Sequence, residues 1–206
     1  MDLTPNDEQV AFLTATADWC REAMPIEAAR ARPTDLWQQL EAMGLTGISA
    51  PEAQGGMALD FATEALVFAE LGRHLAPVGL LATAVAKRWT GNVPRAGLAM
   101  VGADEVRLLD GDAAALALGV SAGQALVYHL PPDLTHGLSI DQTTSLAHLR
   151  PAPAGTPVED QRAAQHLQLL AAAFVLGAAD CARDMAADYA KVREQFDRPI
   201  GWFQAI

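Results

Sequence analysis

The sequence predicts an α+β fold: an N-terminal helical domain, a reduced small β domain, and the first part of a C-terminal helical bundle. Three observations predict it. Apolar residues recur at helical spacing through residues 1–90, short apolar runs broken by turn residues follow from Gly91, and a long helical stripe fills the chain from Val158 onward. The domains expected are therefore 1–90, 91–150 and 158–206, with PAPAGTP at 151–157 as a linker.

The first helix is expected to open on Thr4-Pro5, a capping residue followed by proline where a missing N–H costs nothing. Val10, Leu13, Ala17 and Cys20 then give it one buried face as far as about Met24, with Phe12 and Trp19 packing off that stripe. Thr34-Asp35 caps the next helix, whose stripe is Leu36, Leu40 and Met43. Gly44 supplies the left-handed residue that ends it. The segment GISAPEAQGG is a turn in which Gly55-Gly56 takes backbone angles closed to other residues. A third helix runs from about Phe61 to Gly72 with Phe61, Ala65, Phe68 and Leu71 on one face. A fourth starts at Pro77 and reaches about Trp89, with Lys87 and Arg88 in its last turn, where positive charge complements the helix dipole.

From Gly91 the runs Gly97–Val101, Val106–Leu109, Ala114–Leu118 and Ala125–Leu130 alternate with Asp-Gly, Ser-Ala-Gly and Pro-Pro, which reads as short strands. The last segment carries Leu170, Phe174, Ala178, Cys181, Met185, Tyr189, Val192 and Phe196 at spacings of three and four. Such a helix spans on the order of 50 Å. It cannot bury its stripe alone, so the remaining helices of its bundle are expected from chain beyond Ile206 or from another subunit.

Composition narrows the function classes. A content of 51% hydrophobic against 19% charged residues is that of a well-buried globular chain. A net charge of −11 repels phosphate backbones and anionic lipid heads, and no local basic patch overrides it, so neither nucleic acid nor membrane is an expected partner. The run Leu169–Ala179 is too short to cross a bilayer, and the N-terminus lacks the basic residues of a secretory signal. Two cysteines far apart, Cys20 and Cys181, without CxxC spacing, point to a reduced, cytoplasmic compartment. The five histidines are dispersed and predict no metal site. GxSxG, Walker A and GxGxxG patterns are absent.

The most specific stretch is YAKVREQFDRPIGWFQAI at 189–206. Its pattern R-x-Q-F-x-x-P-I-x-x-F-Q, at Arg193, Gln195, Phe196, Pro199, Ile200, Phe203 and Gln204, together with Pro51-Glu52 and Gly55-Gly56, resembles the acyl-CoA dehydrogenase family of flavoproteins. The segment Asp141–Ala147 is similar to a late stretch of that family's β domain. The resemblance implies FAD as cofactor, an acyl-CoA thioester as substrate, and a homo- or hetero-oligomer in which Arg193, Gln195, Phe196 and Gln204 reach across an interface to a neighbour's flavin nucleotide. The residue types suit that role: Arg193 is a forked donor for phosphate oxygens, Phe196 an apolar plane, and the two glutamines amides for polar edges. Read without the resemblance, Arg193 would pair with Glu194 or Asp197, and Phe196 would be core.

The chain also departs from the family. Asp197 stands where a glycine is usual, and nothing between Met100 and Leu130 resembles the T-E-P-x-x-G-S-D segment that holds the flavin ring. The family's earlier position for the catalytic carboxylate falls at about Leu167-Gln168, so no catalytic base is expected, and Glu159 and Asp160 are expected to cap the helix. Two functions follow: a catalytically incomplete subunit of an FAD-dependent dehydrogenase, whether part of a longer enzyme or a degenerate partner, or a scaffold subunit that has lost the flavin.

Overall fold

A computed structural model describes residues 4–203. The order is four helices, a seven-stranded sheet and one long helix ending in a hairpin: α1 (Asp7–Ala23), α2 (Leu36–Ala42), α3 (Phe61–Arg73), α4 (Gly79–Thr90), β1 (Ala96–Val101), β2 (Val106–Leu109), β3 (Leu116–Ser121), β4 (Gln124–His129), β5 (Gly137–Leu138), β6 (Ser145–Leu149), β7 (Thr156–Pro157), α5 (Arg162–Val192), β8 (Glu194–Gln195) and β9 (Arg198–Pro199). The α+β class expected from the sequence is the observed one.

Helix α1 starts two residues later than Thr4-Pro5 suggests. Asn6 is the cap: its Oδ1 accepts from Gln9 N at 2.8 Å, and Gln9 Oε1 accepts from Asn6 N at 3.0 Å. Two orphan donors are satisfied at once, which a lone threonine cannot do. The buried face is Thr16 and Cys20, while Val10 is exposed. A hydroxyl can face the core there because Thr16 Oγ1 donates to Phe12 O at 2.9 Å.

Helix α4 begins at Gly79, not Pro77, and its cap comes from another element. Asp110, at the end of β2, accepts from Gly79 N through Oδ2 and from Ser145 N through Oδ1, both at 3.2 Å. Burial pushes the Asp110 carboxyl up even though the N–H groups of Gly79 and Ser145 pull it down. One carboxylate thus ties the helical part to the sheet. The basic pair at the far end of α4 does not simply complement the dipole. Lys87 is buried and donates to Thr46 Oγ1 at 3.0 Å, and Arg88 donates to Ser49 O at 2.6 Å, so both hold the turn between α2 and α3.

The sheet order is β5-β6-β2-β1-β3-β4-β7, antiparallel except for β1 and β3. Strand alternation divides the core. Leu118, Ala125 and Val127 join the helices in the main cluster, whereas Ala117, Tyr128, Val106 and Leu108 form a second cluster on the opposite face. The last two residues of PAPAGTP are not free connector. They pair with β4 as the edge strand β7.

Helix α5 is 31 residues long and lies along α3. At 1.5 Å per residue that is roughly 46 Å. Their crossing is backbone against backbone: a Cβ on Gly72 would stand 2.0 Å from Phe174 O, and one on Gly177 would stand 1.7 Å from Ala69 O. Of the expected stripe only Leu170 and Phe174 are buried, Ala178 and Cys181 are half-buried, and the buried residue at the crossing is Gly177. Met185, Tyr189, Val192 and Phe196 are exposed, and Phe196 lies beyond the helix.

Gly177→Ala must push the two helices apart, and overpacking of this kind costs about 1–3 kcal/mol. Urea unfolding should show that loss, while Gly137→Ala, whose Cβ meets nothing nearer than 3.9 Å, should stay within about 0.5 kcal/mol of the parent. Equal midpoints for the two variants would contradict the crossing.

Candidate functional site

Helix α5 unwinds at Arg193, whose N–H still bonds to Tyr189 O at 2.8 Å while its own carbonyl accepts from Ile200 N at 2.8 Å. Between these bonds the chain makes a tight hairpin, with Glu194 opposite Pro199 and Gln195 opposite Arg198. The two turn residues, Phe196 and Asp197, have φ of +54° and +60°. A two-residue turn with both central φ values positive matches the twist of the strands it joins.

The hairpin brings Arg193, Gln195 and Phe196 together, and Gln204 falls outside the described residues. Phe196 is 89% exposed and meets Phe203 edge to face at 6.3 Å. Arg198 lies over the Trp202 ring at 5.5 Å. Gln195 Nε2 donates to Glu194 O at 2.9 Å. Among the described residues nothing pairs with the Arg193 guanidinium, neither Glu194 nor Asp197. A cavity of about 390 Å³ beside the hairpin is lined by Ala187, Ala190, Lys191, Pro199, Gly201 and Trp202. It touches none of Arg193, Gln195 or Phe196, and all three are exposed among the described residues.

A second polar cluster lies at the other end of α5. Glu64 is fully buried, and its Oε2 is 2.6 Å from Nε2 of His166, which is 4% exposed. Trp89 Nε1 donates to His166 Nδ1 at 3.0 Å. An indole N–H can only donate, so Nδ1 is the accepting nitrogen and the ring proton sits on Nε2, facing the carboxylate. Arg88 lies over Phe61 at 5.4 Å and over Trp89 at 5.2 Å, and Arg162 lies over Trp89 at 4.9 Å. Sequence spacing carries no signal for this cluster, because its members come from three helices: α3, α4 and α5.

The two carboxylates expected to cap α5 separate in the structure. Asp160 does cap it: Oδ1 accepts from Arg162 N at 2.9 Å, and the Arg162 side chain holds its carboxyl down to about 2. Glu159 instead lines a cavity of about 360 Å³ between the end of α4, the sheet and the segment that precedes α5. Among the described residues no group of three or more His, Cys, Asp or Glu could hold a metal ion, and no helix is long and apolar enough to cross a membrane.

Comparison with known proteins places this architecture. A family model described as acyl-CoA dehydrogenase, N-terminal domain, matches residues 6–106. The acyl-CoA dehydrogenase IpdE2 of Mycolicibacterium smegmatis is 32% identical over 213 residues, which take in 97% of this chain and 68% of that protein. Among solved structures, the ChsE4-ChsE5 complex from Mycobacterium tuberculosis matches 100% of this chain and 72% of its own with a TM-score of 0.67 at 22% identity. PigA with FAD and proline matches 100% and 74% with a TM-score of 0.68 at 15% identity. At such identities these two structures share the fold.

A residue with a side chain held at φ near +60° costs roughly 1–2 kcal/mol relative to its preferred conformations, and glycine escapes that cost. Asp197→Gly should therefore stabilise the cofactor-free chain by up to about 1 kcal/mol in urea unfolding. A lowered midpoint would show that the aspartate makes a stabilising contact at the turn.

Proposed function

Since the chain belongs to the acyl-CoA dehydrogenase family, we propose that it works as a subunit of an FAD-dependent oxidoreductase that desaturates an acyl-CoA thioester, contributing to a flavin site across a subunit interface. The observation that carries this reading is the hairpin, where an arginine with no ion-pair partner among the described residues stands near an exposed aromatic. A pyrophosphate fits the Arg193 fork, and a planar base fits the Phe196 face. Gln195 has spare acceptor and donor capacity beyond its one bond to Glu194 O. When bound, FAD would supply the hydride acceptor.

The partner proposed is an acyl-CoA dehydrogenase-type subunit. Tyr189, Val192, Phe196, Trp202 and Phe203 leave a cluster of large apolar side chains exposed at this end of the molecule. Soluble monomers rarely keep such patches uncovered. The structural neighbour from Mycobacterium tuberculosis is itself a two-component complex, which favours a heteromer. A cytoplasmic setting is proposed from the thiols, which are both free: Cys20 is buried, and that burial pushes it up to about 12.

Arg193→Ala should weaken FAD binding by the assembled complex about ten- to a hundredfold, because a hydrogen bond to a charged group is worth roughly 1.5–3 kcal/mol. Flavin content and the FAD dissociation constant read the effect, with the melting temperature of flavin-free protein as control. Unchanged affinity with a lowered flavin-free melting temperature would make the arginine structural and leave the scaffold reading in place.

The chain without a partner should not desaturate acyl-CoA when FAD is added, since the family's early carboxylate position holds Leu167-Gln168. Product formation would overturn this, and its loss in Glu159→Gln would then locate the base at the rim of the 360 Å³ cavity.

A further inference from the structure

His166 is held from both sides and has no nitrogen to spare. Its Nδ1 accepts from Trp89 Nε1 at 3.0 Å, so its one ring proton is on Nε2, 2.6 Å from Glu64 Oε2. Phe61 covers the ring, with centroids 4.8 Å apart. Glu64 is fully buried and the His166 side chain is 2% exposed. A second proton has a single place to go on this ring, the Nδ1 lone pair. Once there it faces the indole N–H across 3.0 Å, two donors with no acceptor between them, and the indole must leave.

We propose that Glu64, His166 and Trp89 form a proton-operated latch: Trp89 ties α4 to α5 only while His166 is neutral, and a proton gained at Nδ1 releases the indole. The inference goes beyond the dehydrogenase reading and needs neither cofactor nor substrate. Charges from every packed element bias the ring. Glu64 on α3 favours a histidinium. Arg88 on α4 lies 5.2 Å over Trp89 and Arg162 on α5 lies 4.9 Å over it, and both oppose a further positive charge. Asp160 offsets Arg162, while His129 and Glu159 line the 360 Å³ cavity that Trp89 also lines. Histidine is the side chain that changes charge nearest neutrality, so the latch is closed at high pH and opens as pH falls. Release stays local because the crossing at Gly72 and Gly177 is backbone packing with no titrating group in it. What comes free is the last turn of α4.

The test is nuclear magnetic resonance of the full chain with labelled tryptophan and histidine, titrated from about pH 8 to about pH 5. The indole signals of Trp19, Trp37, Trp89 and Trp202 are distinguished by the loss of one in Trp89→Phe. The Trp89 N–H should exchange slowly with solvent at the high end and at least about tenfold faster once the His166 ring reports its second proton, while Trp19 and Trp37 stay as they were. His166→Gln keeps an acceptor for the indole and a donor for Glu64 without titrating, so its Trp89 signal should hold through the whole range. In Glu64→Gln the step should move to lower pH, by about tenfold or more in proton concentration, because a neighbouring carboxylate favours the charged ring. In Trp89→Phe nothing donates to Nδ1, and His166 should take its second proton at higher pH than in the parent.

These opposite shifts are not expected of a ring that only packs, and they carry the test if His166→Gln fails to fold. A Trp89 signal that outlasts the protonation of His166 would overturn the proposal. So would the parent's step persisting in His166→Gln, or all four indoles changing together because the chain unfolds before His166 takes a second proton.

Discussion

Everything else in the molecule hangs on the crossing of α3 and α5. Gly72 and Gly177 let the two backbones touch, with no room for a single carbon more, and the helices then share the largest apolar cluster. Contact that close fixes more than stability. It places His166 against Glu64, and a buried carboxylate tolerates burial only where a donor meets it. It also sets the direction in which α5 leaves the core and therefore where its hairpin stands. The hairpin follows α5 directly, so its position is inherited from the crossing earlier along the helix, at about 1.5 Å per residue.

The outline of this fold was legible because it is written in periodicity. Leu36 and Leu40, Phe68 and Leu71, and Leu170 and Phe174 are buried as their spacing requires. The hairpin residues were legible for a different reason, a shared pattern of residue types, which marks positions without giving a geometry. What spacing could not give were the contacts between elements. Asp110 caps α4 from 31 residues downstream, and Trp89, Glu64 and His166 meet from three helices. The α1 cap was misplaced because Thr4-Pro5 and Asn6 are both good starts in isolation. Only the reciprocal bond to Gln9 decides between them.

The PEAQGG turn shows how far a local reading reaches. Gly55 does take the left-handed conformation, with φ of +73°, but Gly56 does not, and its missing side chain instead leaves room for Ala50 O, 2.1 Å from where a Cβ would stand. Yet the turn stays in place because α4 holds it, through Arg88 on Ser49 O and Lys87 on Thr46 Oγ1. Burial lowers the Lys87 pKa, since an ammonium out of water gains from releasing its proton. A charge at the end of a helix looked like dipole complementation in the sequence. In the fold it is a tether between two elements.

The long helix divides into halves that obey different constraints. Through Gly177 its stripe is met by α3, so side-chain size is set by that neighbour and small residues are required. Beyond it, Met185, Tyr189 and Val192 keep the apolar spacing of a packed helix while standing in solvent, and Asp180, Asp184 and Asp188 line another face. A surface helix with no neighbour would gain nothing from retaining large apolar residues at that period. Each such side chain left in water forgoes about 1.5–3 kcal/mol of burial. The pattern is therefore that of a packing face, and none of the described residues covers it. The hairpin follows directly from that face, with Phe196 and Trp202 as exposed as the helix before it. The aromatics of the hairpin thus continue the run of large apolar side chains that the described residues leave exposed.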